Sequence, residues 1–97
     1  MSEFLLLMHC DAVDEVAADW PPYLDGLVQA GRLRGGSSLG GGVCVRKDGA
    51  SRPLSDQLTG FIRIAAQSLE DAQSCLAGNP VYEAGGTVEI RLLVEDD

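Results

Sequence analysis

The sequence is poor in the side chains that build metal sites and disulfide scaffolds: its 97 residues hold one histidine and three cysteines. Cys10, Cys44 and Cys75 are an odd set, lie far apart and include no Cys-x-x-Cys pair, which excludes a zinc-ribbon spacing and a disulfide framework. They read as small, buried or half-buried thiols in a reducing cytosol, and neither a metal nor a cofactor is expected. Basic residues are scarce as well. Seven Lys and Arg against fifteen Asp and Glu leave a net charge of −8, a field that repels phosphate backbones and anionic lipid surfaces. Nucleic acid is therefore not an expected partner. Nor does any apolar run approach the ~18 residues of a membrane span. The run "FLLLM" is far too short, and no charged-then-apolar leader opens the chain. A cytoplasmic protein without membrane contact is the expectation.

What is present is the 45% hydrophobic content of a globular chain, read as one domain over residues 1–97. A domain of this size hides only about 60–65% of its unfolded surface, so its core gains from a partner subunit. "EFLLLMHC" is continuously apolar from Phe4 to Met8, the pattern of a strand covered on both faces. In "PPYLDGLVQAG", Tyr23, Leu24, Leu27 and Val28 share one helical stripe, with prolines in the first turn and Gly31 just past the end. Residues 12–18, "AVDEVAA", read as an extra helical turn before the Pro21-Pro22 break. "RLRGGSSLGGG" is an irregular, glycine-rich strand. It is not a phosphate cradle, because no lysine-serine pair follows and the glycines do not lie in a strand-to-helix turn.

"VCVRKDGASRPLS" predicts a hairpin turning at Asp48-Gly49, with Arg52-Pro53 on an edge limb because proline cannot donate to a ladder. "GFIRIAA" is a second strand covered on both faces. In "SLEDAQSCLAG", Ser68 with Asp71 three residues on resembles a capping box, and Leu69, Ala72, Cys75 and Leu76 fall on one side of the helix before Gly78 ends it. "TVEIRLLV" is the last strand, with Val88, Ile90 and Leu92 on one face and Thr87, Glu89 and Arg91 on the other. Residues 95–97 form an acidic tail. The order strand, helix, strand, inserted hairpin, strand, helix, strand is the α+β plan of a ferredoxin-like split β-α-β sandwich. Two helices cover one face of such a sheet. The other face, greasy on two strands, calls for a second copy of the chain and closure as a homodimer, a dimeric α/β barrel.

With this order in place the chain resembles the YCII-related family, particularly its DGPF-type members. "EFLLLMH" resembles the family's opening strand, "YLDGLVQAGRLRGGSSL" its first helix and glycine-rich strand, "VRKDG" its hairpin, and "QLTGFIRIAAQSLEDAQSCLAGNP" with "GGTVEIR" the remainder. The resemblance implies a dimeric α/β barrel of ferredoxin-like topology. It also implies a site made of a histidine in the first helix and an aspartate before a proline after the second. Those positions match Trp20 and Asn79 here, so neither proton-handling group is carried over. "SRPLSDQ" stands where the DGPF tetrapeptide would.

Residue by residue, Asn79 reads first as turn chemistry after a helix-ending glycine, with an amide able to hold a ligand or cap the preceding helix. Trp20 lines a cleft or packs between helix and sheet. His9 is the one side chain whose ordinary titration lies near neutrality, hence the weak candidate for a catalytic base. Cys10 beside it points to the opposite face of the strand. Arg63 faces away from Ile62 and Ile64, on the side shared by Glu89 and Arg91. It either forms an internal pair with Glu89 or helps build a positive pocket for a small carboxylate. The expected ligand-binding residues are thus Arg63, Arg91, Glu89, Trp20 and Asn79, and the expected function is binding of a small organic anion. The rival functions are a small lyase- or isomerase-like enzyme using His9, and a protein-interaction subunit docking a basic partner by its acidic surface.

Overall fold

Along β1 (Ser2–His9), Phe4, Leu6 and Met8 are buried, whereas Leu5, Leu7 and His9 are half-covered. This is the two-residue repeat of a strand, with apolar groups on both faces and one face deeper than the other. In the computed structural model of the protein, which describes residues 1–95, β1 lies inside a four-stranded sheet. The other strands are β2 (Leu33–Ser38), β3 (Leu58–Ala66) and β4 (Val88–Leu93), in the order β2-β3-β1-β4. All neighbours are antiparallel. This is the α+β, ferredoxin-like arrangement read from the sequence. Residues 96 and 97 of the expected acidic tail lie outside the described residues. Among the described residues no helix is long and apolar enough to cross a membrane.

Ile62, Ile64 and Ala66 of β3 share the deep face with Phe4, Leu6 and Met8 and form the core with Tyr23, Leu27, Ala72, Leu76 and Val81. Leu5, Leu7, Phe61 and Leu93 lie on the other face and stay half-covered. The helices therefore cover one side only.

The first helix, α1 (Trp20–Gln29), begins with Pro21 and Pro22, whose missing N–H groups cost nothing in a first turn. It ends where Gly31 turns left-handed at φ 72° and Arg32 N donates to Leu27 O, a glycine cap. Tyr23 and Leu27 are buried, but Val28 is 57% exposed, so the apolar stripe is narrower than its spacing promised. The helical turn expected over residues 12–18 is reduced to a 3-10 turn at Ala17–Asp19, since Asp14, at φ 56°, breaks any helical path before it.

The second helix, α2 (Leu69–Ser74), starts as read: Ser68 Oγ accepts from Asp71 N at 3.1 Å. Asp71 does not return the bond to Ser68. Its carboxylate takes both arms of Arg32, at 2.9 and 3.0 Å, and Gln67 N at 2.9 Å, which ties the α1–β2 junction to α2. Leu69, expected on the buried side, is 51% exposed, while Ala72, Cys75 and Leu76 are buried. A short third helix, α3 (Pro80–Glu83), follows where only a turn was expected.

The inserted hairpin is corrected. The chain does turn at Asp48-Gly49, with Gly49 at φ 87°, and its limbs touch through Arg46 Nη1 to Ala50 O and Cys44 Sγ to Pro53 O, both at 3.4 Å. No ladder forms between residues 39 and 57, so Arg52-Pro53 sits in a loop and not on a strand. Val43 and Val45, the side chains that would anchor such a strand, are 80% and 82% exposed, with no core beneath them.

Hydrogen bonds hold three carboxyls below their usual range. For Asp71 the first cause is Arg32, for Asp11 it is Thr87, and for Glu89 it is Arg91 followed by His9. Each ionises more readily folded than unfolded. Their stabilisation is therefore complete above the ordinary values, 3.8 for the aspartates and 4.5 for the glutamate, and is lost as pH falls through the lowered folded values. Melting temperature should drop as the pH goes from about 5 to about 3. Asp71→Asn should lower it at neutral pH and flatten the acid fall, as differential scanning fluorimetry across the series would show.

Candidate functional site, a cleft between the first helix and the glycine-rich strand

A cleft of about 610 Å³ opens between the start of α1 and the β2 edge of the sheet. Its origin lies in small residues at positions that face the helices. Gly36 is opposite core-facing Ile62, and Ser38 is opposite Gly60, which in turn lies opposite Met8. Three neighbouring positions on the covered face thus carry little or no side chain. Gly36 is forced by backbone contact, because a Cβ there would stand 2.5 Å from Phe61 O. Leu24, Leu33, Met8 and Ile62 supply apolar walls, and Trp20 and Glu15 also line the cleft.

Trp20 is fixed on two sides. Its Nε1 donates to Glu15 Oε2 at 2.6 Å, and its ring meets Tyr23 edge-on, with centroids 5.9 Å apart and planes at 72°. Glu15 is exposed, yet the loop that carries it is anchored. Cys10 N donates to Gln57 O at 2.7 Å and Val13 N to Ala84 O at 3.0 Å. Asp11 accepts from Thr87 N at 2.8 Å and Thr87 Oγ1 at 2.7 Å. Gly86 lets the turn before β4 press on Ala12, whose Cα would lie 3.0 Å from any Cβ added there.

Asn79 is fully buried and caps α3, not the helix before it. Its Oδ1 accepts from Val81 N at 3.0 Å and Tyr82 N at 3.1 Å, and Pro80 takes the first helical position. Nδ2 has no hydrogen-bond partner among the described residues. Burial pushes the Tyr23 phenol up, and the Asn79 amide beside it works the other way. Tyr23 OH donates to Cys75 O at 2.7 Å. Tyr23 therefore stands next to both Trp20 and Asn79. Trp20 lines the cleft; Asn79 does not.

The remaining candidates lie on the open face. His9, with a side chain 19% exposed, places Nε2 3.2 Å from Glu89 Oε1, and Arg91 Nη1 donates to Glu89 Oε2 at 3.1 Å. Arg63 pairs with Glu3 at 3.0 Å, not with Glu89. In the sheet register Leu5 lies between Arg63 and Arg91, so the two guanidiniums flank an apolar side chain and do not converge on a common pocket. None of His9, Arg63, Glu89 and Arg91 lines the cleft.

Sequence reasoning missed Glu15, Gly36 and Gly60. A glutamate five residues before the sole tryptophan was a local signal. Nothing in the sequence says that the two side chains meet.

Fold and cleft together define an α+β, ferredoxin-like domain with one covered and one open sheet face and a largely apolar cleft at its edge. A family model described as the YCII-related domain matches residues 4–95, and the chain belongs to that family. No curated protein matches it.

Because Asn79 Oδ1 satisfies two amides at the buried start of α3, Asn79→Ala should lower unfolding free energy by about 1–2 kcal/mol. Urea denaturation followed by Trp20 fluorescence measures this, and an unchanged midpoint would contradict the capping role.

Proposed function

We propose that the protein is a small-molecule-binding domain that works as a homodimer, with its ligand in the Trp20 cleft. The cleft itself carries this reading: a concave, mostly apolar site with a few polar residues in its lining, Glu15, Ser38 and Thr59 among them, is what ligand pockets look like. Dimerisation rests on the open face, where Leu5, Leu7, Phe61 and Leu93 make an apolar strip bordered by the Glu3–Arg63 and Glu89–Arg91 pairs. Phe61 belongs to that face and also lines the cleft, so a second copy would support one wall of the site. A small organic anion finds its natural place at Arg63 or Arg91, where it would compete with Glu3 or Glu89 already bound there.

A second reading has one observation behind it. His9 is held by Glu89, in the form of a base oriented by a carboxylate, and Arg91 adjoins the same carboxylate. A lyase or isomerase built on it needs a cleft around the imidazole, which only a subunit closing over the open face would provide.

Light scattering should give about twice the 10.2 kDa chain mass, and Leu7→Glu should yield a folded chain of single mass. A stable wild-type monomer at micromolar concentration would overturn the dimer. An NMR screen with a charge-balanced fragment set should move the amides of Trp20, Gly36 and Ser38 together. Hits confined to other surfaces, or no hits at all, would remove the cleft from consideration.

A further inference from the structure

We infer that the cleft selects a cationic ligand, an amine or quaternary ammonium carried on a compact apolar or aromatic body. This rests on the reading of the cleft as a ligand site and assigns the ligand's class. Among the described residues that line the cleft, Glu15 is the one that is charged. Its Oε2 is taken by Trp20 Nε1, while Oε1 makes no hydrogen bond among the described residues and faces no competing cation there. An indole fixed beside a carboxylate with an unused oxygen is a pair suited to an ammonium group. The oxygen accepts an N–H or neutralises a quaternary centre, and the indole, held at its N–H edge by the same carboxylate, offers its face to the apolar body of the ligand.

The apolar floor formed by Gly36, Gly60 and Met8, with Leu24 and Leu33 beside it, accommodates an uncharged body of modest size. The net charge of −8 reinforces the choice by raising the local concentration of cations and lowering that of anions. The two arginines that suggest an anion both lie outside this cleft and are each matched by a carboxylate. Glu15 is also held in place without a ligand. Asp14 turns left-handed just before it, and Val13 and Ala12 pin the loop to the turn before β4, so little ordering remains for binding to impose.

The test uses three probes of similar shape and different charge: 2-phenylethylamine, 2-phenylethanol and 3-phenylpropanoate. Benzyltrimethylammonium serves as a cation that cannot donate N–H. Trp20, the sole tryptophan, reports binding by its emission. Both cations should saturate the change at lower concentration than the alcohol, and the carboxylate should bind weakest. Raising the salt concentration should weaken the cations selectively. Glu15→Gln, which keeps an oxygen for the Trp20 bond, should weaken the amine by about tenfold and the alcohol by much less.

If the carboxylate binds as well as the amine, or Glu15→Gln leaves the amine untouched, the cationic class is wrong while the cleft still binds. If no probe of any charge perturbs Trp20 and the fragment screen is also silent at the cleft, both the class and the site are wrong.

Discussion

β1 is hydrogen-bonded on both edges, to β3 and to β4, and carries large apolar side chains on both faces. One face meets the helices and is sealed; the other keeps Leu5 and Leu7 half-covered beside Phe61 and Leu93. Every later feature follows from this asymmetry. The sealed face sets where α1 and α2 lie, and hence where the cleft opens at the β2 edge. The open face arranges Arg63, Glu89 and Arg91 around an apolar strip.

The cleft comes from subtraction. Gly36 and Gly60 place main chain where a sheet would normally present side chains to a helix, and Gly36 has no alternative because the Phe61 carbonyl lies too close for a Cβ. Packing fills such a gap in most interiors. Here α1 carries Trp20 and Leu24 at the margin, and the space remains. Glu15 stands at the cleft, whereas Arg63 and Arg91 are paired with carboxylates on the open face.

Asn79 stands where the resemblance expects an aspartate, and its amide oxygen caps α3 in full burial. Trp20, at the matching histidine position, turns its indole to Glu15 instead of handling protons. Asn79 thus serves as a helix cap and Trp20 as a cleft wall.

Sequence alone determined the strands, the two longer helices, their order and the family, because apolar periodicity, proline and glycine placement and capping residues act over a few neighbours in the chain. It also separated Ile62 and Ile64 from Phe61 and Arg63 by simple alternation. Asn79-Pro80 carried a helix-start signal that was read as a turn, since the helix it begins is only one turn long. The tertiary structure decided what alternation cannot. It paired Arg63 with Glu3 across strands and Arg32, at the α1–β2 junction, with Asp71 of α2, denied the "VCVR" segment a ladder for want of a core, and brought Glu15 to Trp20. These outcomes depend on which distant segments share space, a property of register and packing that no local pattern encodes.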